Sequence, residues 1–182
     1  MKTWDQLHDY YLNDVPGCSY ATAANALRMA AQEFCESTKC WRVTFAPVVT
    51  VLNTTVYSFP VTSEQEFVKL ESAKLAGQPL DLLFDEEAGG THRGILVLSE
   101  LQFQVQPLPA AGQPVLLKVT LKPSNASIGI EDHLYSAYAE HIAKGAKARL
   151  MSMTNQPFSN LPAAGVARGE FEAAMGKTRI RV

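Results

Sequence analysis

Apolar residues recur along this chain with two different periods, and the places where the period changes constrain the fold more than any motif does. Between residues 20 and 37, Tyr20, Ala24, Leu27, Ala31 and Phe34 follow at steps of three and four, the spacing of one helix face. From Trp41 the step drops to two. Trp41, Val43 and Phe45 alternate with Arg42 and Thr44, and Tyr57, Phe59 and Val61 repeat the pattern. Leu101, Phe103 and Val105 are set against three glutamines, and Leu117, Val119 and Leu121 against Lys118, Thr120 and Lys122. Period two at this regularity is that of half-buried antiparallel strands. Helical spacing returns at Glu131, where Tyr135, Ala139, Ile142, Ala146, Leu150 and Met153 form a stripe with Glu140, Lys144 and Lys147 off it.

Breakers and caps fix the element ends. Residues 5–12 read as a short opening helix with Trp4, Leu7 and Tyr11 on one side, stopped by "NDVPG". Ser19 caps the second helix. "TNQPFSNLP" ends the third, and Asn160 caps a fourth, with Pro162 in its first turn and Ala164, Ala167, Phe171 and Ala174 inward, running to about Met175. Turn chemistry in "LAGQPLDLL", "DEEAGGTHRG" and "PLPAAGQP" separates about seven short strands between residues 41 and 122, the plan of a small sandwich or barrel. The expected class is α+β. Residues 1–40 and 128–176 form a four-helix bundle, an antiparallel β-sandwich or barrel-like domain is inserted at 41–127, and 177–182 form an extended C-terminal tail.

Composition narrows the function. A chain of 182 residues, 47% hydrophobic and 19% charged, suits one globular domain or one domain carrying an insertion. A chain of this size buries roughly 70% of its unfolded surface and needs no metal or disulfide to fold. The net charge of −2 argues against a dedicated nucleic-acid surface, which needs clustered cations. Cys18, Cys35 and Cys40 are odd in number and irregularly spaced, so they read as small apolar residues in a reducing compartment. With no apolar run at the amino terminus and none near the roughly 20 residues of a membrane span, a soluble product of a cytoplasm is expected.

Gly176-Lys177-Thr178 has the letters of a phosphate loop's end. The glycine such a loop needs five residues earlier is Phe171, and only four residues follow Thr178, too few for the helix that would hold the anion. Gly176 reads instead as a helix terminator. In the tail, Thr178, Ile180 and Val182 alternate with Lys177, Arg179 and Arg181, a pattern suited to adding a strand to a partner's sheet edge. His133 and His141 lie about two helical turns apart, too far to share a metal, and His8 and His92 have no Cys or carboxylate arrangement that recommends them as ligands. The carboxylates at residues 85–90 lack calcium-loop spacing and read as a solvated turn. No Gly-x-Ser-x-Gly elbow is present. No catalytic, metal or cofactor site is expected.

The order of these elements resembles that of the head-to-tail adaptor (connector) proteins of tailed bacteriophages, in the group with a β domain inserted into the helical bundle. The resemblance rests on the opening "W-x-x-L", the Pro-Gly break, "ALRMAAQEFCESTKCWR", "YSFP", "VQPLP", "IEDHLYSAYAEHIAKGAKARLMSM" and "ARGEFEAAM", and covers nearly the whole chain. It implies a structural virion protein at the head–tail junction, made in the host cytoplasm. Copies would assemble as a ring, normally dodecameric, beneath the portal protein. That ring extends the DNA channel, through which DNA passes without specific binding during ejection, and forms the platform for a downstream tail or nozzle protein. On that basis Lys177, Thr178, Arg179, Ile180, Arg181 and Val182 are the expected portal-binding tail. Ala24, Leu27 and Ala31 on the second helix, with Tyr138, Ile142 and Ala146 on the third, are the expected ring-packing residues. Two other readings fit the sequence: a tail-tube or tail-completion protein, and a carbohydrate- or ligand-binding module using aromatics such as Trp41, Tyr57 and Phe103.

Overall fold

The computed structural model describes residues 1–84 and 92–181, the last of them by its backbone alone. The carboxylate turn at 85–90 and Val182 lie outside the described residues. In chain order the elements are β1 (Lys2–Thr3), two 3-10 segments (Trp4–Tyr10 and Leu12–Asp14), α1 (Tyr20–Thr38), β2 (Arg42–Thr44), β3 (Val48–Val49), β4 (Val56–Ser58), β5 (Gln65–Leu75), β6 (Gln78–Leu83), β7 (Gly94–Val97), β8 (Gln102–Gln106), β9 (Pro114–Pro123), β10 (Gly129–Ile130), α2 (Asp132–Met151) and α3 (Leu161–Arg181). They divide into two compact units, one of Met1–Trp41 with Lys122–Val182 and one of Arg42–Leu121.

The expected four-helix bundle is corrected to three α-helices. The opening segment is 3-10, with Trp4, Leu7 and His8 buried. A segment this short, broken at Pro16-Gly17, cannot offset the cost of nucleating an α-helix by itself. Tertiary bonds fix it instead. Trp4 Nε1 donates to the buried Ser127 carbonyl at 2.9 Å, and β1 pairs with β10 in the register Lys2↔Ile130, Thr3↔Gly129. At Gly129 a Cβ would stand 2.1 Å from the Lys2 carbonyl oxygen, so the two strands approach that closely only over glycine.

Local signals place α1 and the start of α3. Ser19 Oγ accepts from the Thr22 N–H at 3.2 Å, and Asn160 Oδ1 accepts from the Ala163 N–H at 3.1 Å, each acting as the cap its sequence predicts. Lys39 closes α1 in the left-handed region at φ 56°, its N–H bonded to the Cys35 carbonyl. The three helices meet around Phe171. Its ring centroid lies 6.0 Å from that of Phe34, and Gly145 of α2 lies against its face, where a Cβ would come within 2.8 Å of Cε2. The expected boundary at residue 128 falls earlier, between Leu121 and Lys122. Gln32 Nε2 donates to the Pro123 carbonyl and to Asn125 Oδ1, both at 3.0 Å, which ties this stretch to α1.

The β unit is one eight-stranded sheet in the order β2-β9-β5-β6-β7-β8-β4, with β3 also paired to β9. It forms a half-barrel, not two stacked sheets or a closed barrel. Nor is it wholly antiparallel, because β6 and β7 run parallel in the register Asp81↔Gly94 to Leu83↔Leu96. Alternating polarity is the same for either strand direction, so the sequence does not reveal this. A tight turn at Ala76-Gly77, with φ 50° and 81°, joins β5 to β6. Stacked and tilted rings at Tyr57–Phe103, Phe59–Phe67 and Phe59–Phe103, with centroids 5.7, 4.5 and 4.9 Å apart, fill one end of the core.

Candidate functional site

The residues expected to pack copy against copy are already used within the chain. Ala24, Leu27, Ala31, Ile142 and Ala146 are buried in the helical unit. Tyr138 is half-buried, its ring 5.1 Å from that of Phe34. The stripe that marks a helix marks its own core first, so Ala24, Leu27, Ala31, Ile142 and Ala146 face their own unit, and only Tyr138 keeps exposed surface.

The C-terminal segment is also different from its expected form. Residues 177–181 continue α3 as helix, where the alternation predicts an extended strand. The helical period decides this: Phe171, Ala174, Met175 and Thr178 recur at three and four, and all are buried. Thr178 Oγ1 donates to the Ala174 carbonyl at 2.9 Å. Arg179 Nε donates to the Ser37 carbonyl at 2.8 Å, and its Nη2 reaches Ser37 Oγ, fastening the end of α3 to the end of α1. Gly176 does not terminate the helix. Of the six tail residues, Lys177, Arg179 and Ile180 are exposed, Ile180 by 87%.

Alpha helix α3 has a second face that the sequence reading missed. Val166, Gly169, Ala173, Gly176 and Ile180 step by three and four along it, and every one is exposed. This is the spacing of a helix–helix seam, with small residues that permit close backbone approach. The signal is present in the sequence as a second run at steps of three and four, on the side of the helix opposite the inward stripe.

A charged cluster clamps the three helices together. Glu33 of α1 accepts from Arg149 Nη2 of α2 at 2.6 Å, and from Arg168 of α3 at 2.6 and 3.1 Å in a two-pronged arrangement. Arg168 Nε also donates to Glu172 at 2.7 Å. Burial alone would raise the Glu33 carboxyl, but hydrogen bonds from Arg168 and Arg149 outweigh it and hold the group below the ordinary range. Arg168 is raised by the same contacts with Glu33 and Glu172. Each charge here has a partner, which describes a structural clamp rather than a poised acid or base.

The remaining reactive groups are scattered. Cys18, Cys35 and Cys40 are not joined in disulfides, and the Cys35 thiol is pushed well up, first by its hydrogen bond with Cys40 and then by burial. His133 lies against Trp41, with ring centroids 6.5 Å apart, and His8 is buried between Tyr11 and Tyr20. Among the described residues no three His, Cys, Asp or Glu side chains gather in a way that could hold a metal ion. No described helix is long and apolar enough to cross a membrane. Trp41, Tyr57 and Phe103 are buried, so none presents a ring face on which a sugar could stack.

No family model matches this chain, and no curated protein matches it. The surfaces therefore carry the functional reading. Those that stand out are the open face of α3 and an apolar tip of the β unit formed by the loops at 49–52 and 108–113.

Proposed function

We propose that this chain is a structural head-to-tail adaptor. Copies of its helical unit stand side by side in a ring below a portal, and the β unit faces the next tail component. The observation that carries the reading is the open face of α3, where Val166, Gly169, Ala173, Gly176 and Ile180 form an apolar seam with nothing of their own unit upon it. A helix buries one stripe in its core, and an exposed face of small residues flanked by Val166 and Ile180 leaves room for a second helix to approach closely. The layout adds support, since a helical unit built from both chain ends and interrupted by a β unit is the plan of the proteins this sequence resembles. Portal contact falls to the outer end of α3, where Lys177 is exposed on a helix and not on an added strand.

Ala173→Arg tests the seam. The side chain is exposed, so the thermal midpoint should match that of the wild type, while a guanidinium at the centre of the seam opposes close helix packing. Mixed with portal-bearing filled heads, the wild type should form a twelve-fold ring by electron microscopy and the variant should not. A variant that assembles like the wild type removes the seam from the interface. A wild type that never joins heads refutes the adaptor reading, and a six-fold particle would favour a tail-tube protein instead.

A further inference from the structure

The end of α1 brings two thiols together. Lys39 closes the helix in the left-handed region, with its N–H donating to the Cys35 carbonyl at 2.9 Å. The chain turns back there, and the thiols of Cys35 and Cys40 share a hydrogen bond. The two differ in exposure: Cys35 is 0% exposed, and Cys40 is half-buried. Cys18 stands apart at the other end of α1, its Sγ donating to the Ser19 carbonyl at 3.6 Å.

A lone buried cysteine behaves as a small apolar residue of little reactivity. Two thiols in contact have further uses, to hold a soft metal ion or to form a disulfide. Zinc takes about four ligands, and among the described residues no third His, Cys, Asp or Glu joins the two sulfurs. A disulfide needs only the pair. The sulfurs already share a hydrogen bond and have to close to the roughly 2 Å of an S–S bond. That hydrogen bond and burial keep the proton on Cys35. Cys40, nearer solvent, is then the sulfur that meets an oxidant, with Cys35 in place to resolve it.

We infer that Cys35 and Cys40 form a reversible dithiol–disulfide site, oxidised by hydrogen peroxide, that locks the last turn of α1. First the Cys40 sulfur gives an electron pair to the peroxide. An S–O bond forms, the O–O bond breaks, and one oxygen leaves as water with the Cys40 proton, so that Cys40 becomes a sulfenic acid. The Cys35 sulfur then attacks that of Cys40. The S–S bond forms, the S–O bond breaks, and the hydroxyl leaves as water with the Cys35 proton. The pair loses two electrons and two protons, and the peroxide is reduced to two waters. A thiol reductant reverses the change by exchange through a mixed disulfide. Ser37 lies between the two cysteines and receives Arg179 from the end of α3, so closing this turn also steadies the anchor of α3. The site does not depend on the adaptor reading.

The test treats the folded, reduced full chain with hydrogen peroxide, quenches it with N-ethylmaleimide and maps the products by mass spectrometry. The expected product is a Cys35–Cys40 disulfide with Cys18 alkylated, fully reversed by dithiothreitol. Amide exchange at residues 36–40 and 177–181 should be severalfold slower in the oxidised form. Cys40→Ser should leave Cys35 unreactive toward peroxide, and Cys35→Ala should stop Cys40 at a sulfenic acid captured by dimedone, with melting curves showing that each variant folds. Both thiols recovered unmodified from the wild type, or Cys40 carried to the sulfinic acid with no disulfide, overturns the site. So does a disulfide that forms only after denaturation. Oxidation of Cys35 at the wild-type rate in Cys40→Ser overturns Cys40 as the first target, and a disulfide that leaves amide exchange unchanged overturns the lock. The wild-type map decides by itself if a variant does not fold.

Discussion

A single buried imidazole sets a pH dependence in the opening segment. His8 packs edge-on to Tyr11 and Tyr20, with centroids 5.9 and 5.1 Å away, and its Nε2 is buried without a hydrogen-bond partner. Burial lowers its pKa and outweighs the attraction of Asp5 and Asp9. Well above the ordinary histidine value both folded and unfolded chains keep the ring neutral, so the shift has no effect there. As pH falls through about 6.5 the unfolded chain takes up the proton first, and stability declines until the lower folded pKa is passed. His8→Phe keeps an aromatic ring between the two tyrosines and removes the proton site. Urea midpoints measured at about pH 7.5 and about pH 5 should fall less for the variant than for the wild type. Equal falls would show that His8 does not couple to folding. Legibility at this scale followed sequence distance. The caps Ser19 and Asn160 act on residues three positions away and could be read directly, whereas Thr50 spends its bonds on Ala110, Gly112 and Gln113, which no local pattern reveals.

Element boundaries depended on the balance between local preference and packing. Gly176 favours termination, at a cost in a helix of about 0.5–1 kcal/mol relative to alanine, and α3 nevertheless runs past it because Thr178 is buried and Arg179 is anchored on Ser37. Nothing lies within 4 Å of a Cβ at Gly176, and its backbone is helical. Gly176→Ala should therefore raise the thermal midpoint by about 2–4 °C for each kcal/mol gained. Gly145 is the opposite case. The same propensity gain of up to about 1 kcal/mol meets overpacking of roughly 1–3 kcal/mol, because the obstructing atoms belong to the fully buried Phe171 ring. Gly145→Ala should thus lower the midpoint, and a rise would mean that the ring yields freely. The long period-two strand β9 and the period-3.6 helices were legible. The 3-10 form of the opening segment and the parallel pairing of β6 with β7 were not, since apolar spacing does not separate these alternatives.

At the scale of the molecule, the change of period located the β insertion, but not the way its strands join into one open mixed sheet. The geometry of the insertion makes the division of labour between the units testable. Arg42 and Thr120, next to the two ends of the β unit, are cross-strand partners, which places their Cα atoms about 5 Å apart. On the helical side, Lys122 Nζ lies 3.2 Å from Glu36 Oε2, so the chain leaves and re-enters that unit at neighbouring points. A short Asn-Gly turn should therefore replace residues 42–121 without straining the helical unit. That unit keeps its own core around Phe34 and Phe171 and its own charged clamp at Glu33. The shortened chain should show helical circular dichroism and a single cooperative unfolding transition. Because it retains the α3 seam and lacks the whole β unit, on the adaptor proposal it should still occupy portal-bearing heads while failing to recruit the downstream component. Loss of the cooperative transition would mean that the helical unit depends on the β unit for its fold. Recruitment of the downstream component by the shortened chain would move tail attachment from the β unit to the helices.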